Sequence, residues 1–158
     1  MWGAACAAYV AILVWSMDKL ENDPPRAASA ATALGIGTGA AALIGASALL
    51  GQFGLALGSA AAALLLIQMF TNQTLATGRV FTLPIALIAG LVGCVAVLSA
   101  RLPWYTLVIL AGIPIAARLA PLSSRSVRLR CLLATLLTSV FAGGAIYVTW
   151  RVAGDIPF

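Results

Sequence analysis

The chain has 158 residues, of which 63% are hydrophobic and only 8% are charged, and its mean hydropathy is +1.08. Soluble domains carry about 25% charged residues, so this composition excludes a soluble globular protein and predicts a single membrane domain over residues 1–158. The net charge of +5 would suggest a nucleic-acid partner in a soluble protein. We expect no nucleic-acid binding here, because no aromatic-rich basic segment is present to stack bases.

Six apolar segments follow one another along the chain and predict an all-α, polytopic transmembrane helical bundle. The first and fifth segments are short for a complete crossing of a hydrocarbon core about 30 Å thick. A five-span alternative therefore stays open, in which the fifth segment is re-entrant or interfacial. The predicted spans are residues 2–17, 28–50, 53–70, 80–100, 103–118 and 131–150.

The first apolar run, residues 2–17, is followed by the first charges of the chain and has no positive region before it. A cleavable signal peptide would carry positive charge ahead of its apolar region. We therefore expect a retained first helix whose N-terminus lies on the exported side of the membrane.

The first predicted loop, residues 18–26, holds three of the four acidic residues and two consecutive prolines that stop one helix and set the start of the next. It resembles the first cytoplasmic loop of PrsW-type membrane proteases in the pattern Asp18-x-x-Glu21-x-Asp23-Pro24-Pro25-Arg26. The paired glutamates and the histidine of that family have no counterpart in this chain. The resemblance therefore implies no protease activity, and the loop is interpreted as a solvated linker or as a docking site for a partner.

Residues 27–78 contain no Asp, Glu, Lys or Arg and are too many for one crossing. The sequence Gly51-Gln52-Phe53-Gly54 interrupts this stretch, and glycines around a polar residue favour a tight turn. We therefore predict a helical hairpin that consists of residues 28–50 and 53–70, with the turn at these glycines.

Small residues recur at a spacing of four in the two helices of this hairpin, and such strips let another helix approach closely. We expect them to pack within the chain or against another subunit, and a discontinuous helix at residues 35–39 that lines a substrate path is a third possibility. The predicted helix-packing residues are Gly35, Gly39, Ala41, Gly45, Gly54 and Gly58.

Alternate placement of the loops on the two sides of the membrane puts seven cations on one side, against Arg101 and Arg151 on the other. Cations favour the cytoplasmic side, so we expect both termini on the exported side and residues 119–130 in the cytoplasm. Three of the four tryptophans then fall at the exported interface, in the headgroup zone that Trp prefers. The seven cations are Lys19, Arg26, Arg79, Arg118, Arg125, Arg128 and Arg130.

Four of these cations belong to one basic loop before the last span: Arg118, Arg125, Arg128 and Arg130. We interpret the loop as a topology determinant that binds anionic lipid headgroups. Docking of an acidic cytoplasmic partner, or a phosphate site, is the functional alternative.

Several kinds of chemistry have no candidate residues in this sequence. The chain has no histidine, and no predicted span has an acidic or basic residue near its middle, whereas such residues mark proton relays and ion pathways. The three cysteines, Cys6, Cys94 and Cys131, are dispersed and form no CxxC motif, so we expect neither disulfides nor a metal site. We predict no catalytic residues and no cofactor.

Three functions remain after these exclusions. The first is a non-catalytic scaffold or accessory subunit of a larger inner-membrane complex, in a bacterial plasma membrane, with lipids and other membrane subunits as partners. The second is a small carrier or channel for a neutral or lipid-like molecule. The third is a lipid-modifying enzyme whose basic loop holds a phosphate. A carrier would need a cavity lined by Thr38, Ser47, Ser59, Gln68 or Thr138.

Overall fold

The computed structural model describes residues 2–75, 78–99, 102–120 and 126–154, and in these ranges every regular element is a helix. This architecture confirms the prediction of an all-α bundle with six apolar helical segments. The helices are α1 (Trp2–Asp18), α2 (Pro24–Gly45), α3 (Ala48–Thr71), α4 (Gly78–Ser99), α5 (Trp104–Leu119) and α6 (Val127–Gly154).

Four helices, α2, α3, α4 and α6, are long and apolar enough to cross a membrane, so the chain is a multi-pass membrane protein. The other two are shorter, since α1 has 17 residues and α5 has 16. At 1.5 Å per residue each is about 25 Å long. Whether α1 and α5 cross completely, and which side each end faces, stay predictions from the sequence.

Consecutive helices run in opposite directions. Gly35 of α2 lies against Gly58 of α3, and Gly39 lies against Gly54, which is an antiparallel pairing. The bundle therefore has two ends of different composition. At one end α1, α5 and the C-terminus of α6 present Trp2, Trp104 and Trp150, and we call it the tryptophan end. The opposite end holds six described cations and three acids, and we call it the arginine end.

Helix α2 occupies the centre of the bundle and packs against α3, α4, α5 and α6. It has the lowest hydropathy of the four long helices, yet 78% of its span is buried. Small residues explain this position, because Ala and Gly allow neighbouring helices to approach closely where lipid supplies no hydrophobic driving force. The surrounding helices expose larger apolar side chains such as Leu66, Val95 and Val140, as expected where they face lipid.

The turn of the α2–α3 hairpin is not where the sequence analysis placed it. Helix α2 ends at Gly45, and Ala46 and Ser47 form the connection, with Ser47 in an extended conformation before α3 begins at Ala48. Gly51 and Gly54 instead lie inside α3, on its buried side. The prediction was wrong because these glycines make room for the backbone of α2 rather than for a reversal of the chain.

Candidate functional site

A glycine seam joins α2 and α3 over four of the predicted packing residues: Gly35, Gly39, Gly54 and Gly58. A Cβ atom added to Gly35 would lie 2.5 Å from the Cα atom of Gly58, and one added to Gly54 would lie 2.5 Å from the Cα atom of Gly39. Real Cβ atoms essentially never approach backbone atoms this closely, so all four positions depend on the absence of a side chain. The seam lies within the chain and leaves these glycines no surface for another subunit.

The two remaining predicted packing residues contact other helices. Ala41 is fully buried in a cluster with Val92 and Ala96 of α4. A Cβ atom on Gly45 would lie 2.7 Å from a Leu102 methyl carbon and 2.9 Å from a Thr149 methyl carbon. Both positions therefore support contacts of α2 on the sides away from α3.

The acidic residues of the first loop form ion pairs with arginines at the arginine end. Asp23 pairs with Arg26 at 3.3 Å and with Arg130 at 3.0 Å, and these side chains are only 21–26% exposed. The more exposed Arg79 pairs with Asp18 at 2.9 Å and with Glu21 at 2.8 Å. The loop is therefore tied to the starts of α4 and α6, which had not been anticipated from the sequence.

Three arginines at this end also bind the last carbonyl groups of helices. Arg118 donates to the Ser16 carbonyl oxygen of α1 at 2.7 Å, and Arg26 donates to the Ala120 carbonyl oxygen after α5 at 2.6 Å. Arg128 donates to two carbonyl oxygens at the end of α3, those of Met69 at 2.9 Å and Phe70 at 3.2 Å. Helix C-termini carry unpaired carbonyls and partial negative charge, so each contact stabilises a helix end.

These contacts bear on the predicted docking residues of the basic loop. Arg118, Arg128 and Arg130 all have acceptors within the chain, and Arg118 also lies over the Trp15 ring at 5.3 Å. Arg125 lies outside the described residues. Binding of lipid headgroups or a partner at this loop stays a prediction, and the geometry adds an internal role for three of its four arginines.

The polar residues that a carrier would need lie in different environments. Ser47 and Ser59 are exposed on the outer surface, whereas Thr38, Gln68 and Thr138 are fully buried. Thr138 donates to the Ala134 carbonyl oxygen at 2.9 Å, one turn earlier in α6. The Thr38 hydroxyl and both polar atoms of the Gln68 amide have no hydrogen-bond partner among the described residues.

Two apolar grooves flank α1 instead. The α1/α5 groove has a volume of about 400 Å³ and runs from Trp2 and Trp104 to Ile12 and Ala111. The α1/α4 groove has a volume of about 470 Å³ and lies on the other side of α1. Both open laterally, toward the region that lipid occupies, and none of the five candidate carrier residues lines either one.

One exposed strip of α1 is made of small residues. All five members of this α1 small-residue face are exposed, and they fall at four-residue spacings: Gly3, Ala4, Ala7, Ala8 and Ala11. A Cβ atom on Gly3 would meet nothing within 4 Å. The spacing Gly3-x₃-Ala7-x₃-Ala11 is visible in the sequence, but it is a weaker signal than the glycine pattern of α2 and α3.

The cysteines do not form a metal site in the described part of the chain, where no group of three or more potential metal-ligating residues comes together. Cys94 of α4 lies next to α1 and its thiol is 3.7 Å from the Cys6 carbonyl oxygen. Cys131 is buried separately at the start of α6.

Comparison with protein-family models, with curated proteins and with solved structures gives no significant match in any of the three. The short resemblance of residues 18–26 to PrsW-type proteases is therefore not supported by a match over the chain.

Proposed function

We propose that the chain is a non-catalytic subunit of a larger membrane complex, in a bacterial inner membrane, and that the α1 small-residue face docks on a helix of another subunit. The observation that supports this proposal most directly is the exposure of that face. Small residues concentrate at helix–helix interfaces in membranes, because they allow close backbone approach and dense van der Waals contact.

The outward side of α6 has a different composition, which favours α1 over α6 as the docking helix. The outward side of α6 carries Leu136, Val140 and Tyr147, all more than half exposed. Such large side chains suit contact with mobile lipid chains. Helix α1 also packs mainly against α4 and α5, so its opposite side is available to a partner.

The interior supports this function over the other two. The buried threonine of α6 is satisfied by its own helix, and the described grooves contain no polar path. Arg118 and Arg128 hold helix ends, a structural use that speaks against a catalytic phosphate site. A carrier for a lipid-like molecule is the second candidate, because the two grooves open toward lipid.

The concentration of cations at the arginine end supports the proposed orientation. Six described cations lie there, against Arg151 at the tryptophan end. With the arginine end in the cytoplasm, both termini are exported and Trp2, Trp104 and Trp150 lie at the outer interface.

A pair of matched variants tests the docking. Gly3→Leu and Gly143→Leu place the same bulky side chain on α1 and α6, and a Cβ atom at either position meets nothing within 4 Å. Neither variant is therefore expected to disturb the fold, which thermal melting in detergent would check. Purification in mild detergent, with mass spectrometry of co-purifying chains, should recover the same partner with the wild type and Gly143→Leu but not with Gly3→Leu.

Two results would count against the proposal. In the first, Gly3→Leu retains the partner at the wild-type level, which would mean that the α1 small-residue face is not the interface. In the second, the wild-type chain purifies as a lone monomer under conditions that preserve membrane complexes.

A further inference from the structure

We propose that the α1/α5 groove is a phospholipid site that holds one acyl chain, with the lipid phosphate at the rim formed by Trp2 and Trp104. The groove shares Ala8 with the α1 small-residue face, but its other wall is α5. A variant on α5 therefore tests the groove without changing the α1 small-residue face.

The depth of the groove matches one leaflet of the bilayer. Its lining on α1 extends from Trp2 to Ile12, a rise of about 15 Å at 1.5 Å per residue. This is half of a hydrocarbon core about 30 Å thick. A chain that enters beside the tryptophans would therefore reach the bilayer centre near Ile12.

The lining of the groove is mostly apolar. It includes Ile12, Leu107, Val108 and Ala111, together with Cys6 and Tyr9, whose hydroxyl is buried without a hydrogen-bond partner among the described residues. Apolar cavities of this kind stay dry and accept apolar ligands. Because the groove opens laterally into the membrane, the acyl chain of a lipid is the apolar ligand at this depth.

The rim favours a phosphate. Trp2 and Trp104, which are 60% and 59% exposed, are the first residues of α1 and α5. Both helices therefore start beside the groove, and the partial positive charge of a helix N-terminus attracts anions. Neither helix has an acidic residue in its first turn, and the residue before α5, Pro103, provides no side-chain cap.

The second groove beside α1 provides a comparison within the same molecule. The α1/α4 groove is larger, but its lining includes no tryptophan, and α4 runs antiparallel to α1 and contributes residues from Leu87 to Cys94, away from its N-terminus. It lacks the pair of helix N-termini that would hold a phosphate. We therefore expect that only the α1/α5 groove binds an acyl chain and also holds the phosphate headgroup of the same lipid.

Photolabelling tests this site with the full-length chain in vesicles of phosphatidylethanolamine and phosphatidylglycerol. The probe is phosphatidylglycerol with a diazirine in one acyl chain, and labelled peptides are identified by mass spectrometry. Ala111→Leu fills the groove from α5, and Ala63→Leu makes the same change on the exposed side of α3 as a matched control. A diacylglycerol with the same diazirine chain tests the role of the phosphate.

We expect labelling to concentrate on the groove residues of α1 and α5. Ala111→Leu should lower the labelling of the groove about tenfold, which corresponds to a loss of about 1.4 kcal/mol in the binding free energy of the acyl chain. Ala63→Leu should leave the labelling unchanged. The diacylglycerol probe should label the groove less than the phospholipid. Equal labelling of the outer faces of α3 and α6, no effect of Ala111→Leu, or equal labelling by both probes would overturn the proposal.

Discussion

The glycine seam between α2 and α3 yields a quantitative prediction for Gly39→Ala. The added Cβ atom would lie 2.5 Å from the Leu55 backbone nitrogen, 2.8 Å from the Gly54 carbonyl carbon and 2.9 Å from the Gly51 carbonyl oxygen. All three are backbone atoms, so no side chain can rotate away. The helices must separate locally by about 0.9 Å, the difference between 2.5 Å and the 3.4 Å at which ordinary contact begins.

A gap of 0.5–1 Å forfeits about a quarter to a half of the dispersion energy of each contact across it. Overpacking of a tight interior typically costs about 1–3 kcal/mol, and we expect Gly39→Ala to fall in this range or above it. The substitution also improves helix propensity by about 1 kcal/mol, which obscures part of the steric cost. Gly143→Ala carries the same propensity gain without the collision, because a Cβ atom there meets nothing within 4 Å.

The difference in stability between the two variants therefore isolates the seam. We would measure it by reversible unfolding with SDS in mixed micelles, followed by the fluorescence of the four tryptophans. Gly39→Ala should be less stable than Gly143→Ala by about 1–3 kcal/mol, roughly fivefold to 150-fold in the unfolding equilibrium. Equal stability of the two variants would refute the close approach of α2 and α3.

Two further predictions concern polar groups and use the same unfolding assay. Asp23→Asn removes the carboxylate shared by Arg26 and Arg130 and should destabilise the chain by about 1–2 kcal/mol. Glu21→Gln changes the ion pair with the exposed Arg79 and should cost under about 1 kcal/mol. Equal losses of stability in the two variants would contradict this ranking. Gln68→Leu removes a buried amide that has no described partner and should stabilise the chain by about 1–2 kcal/mol. A loss of stability would mean that this amide is hydrogen-bonded.

Hydropathy alone was sufficient to predict the helical segments, because a chain in lipid must satisfy its backbone hydrogen bonds within helices. The α2–α3 turn could not be predicted in this way. A glycine next to a polar residue is compatible with a turn and also with close helix packing, and Gly54 serves the second purpose beside Gly39. Only the position of the neighbouring helix distinguishes these uses.

The arginine end illustrates a similar limit for the site residues. The sequence identifies Arg118 and Arg128 as interfacial cations, and their position at the helix ends agrees with that expectation. Their acceptors are Ser16 and Met69, which lie far away in the sequence. No local pattern links these residues, so the contacts become visible only when the helices are assembled.

The unequal helix lengths have a consequence for the surrounding bilayer. Helices α1 and α5 pack against each other and measure about 25 Å, whereas α6 has 28 residues and measures about 42 Å. A short apolar helix thins the membrane beside it, and a long one tilts, each at a cost of a fraction of a kcal/mol per Å of mismatch. With α1 crossing as predicted, the lipid next to it would be compressed, and a second short helix placed there would relieve that compression. Under the docking proposal, hydrophobic thickness would then favour a neighbour of matching length on this side of the protein.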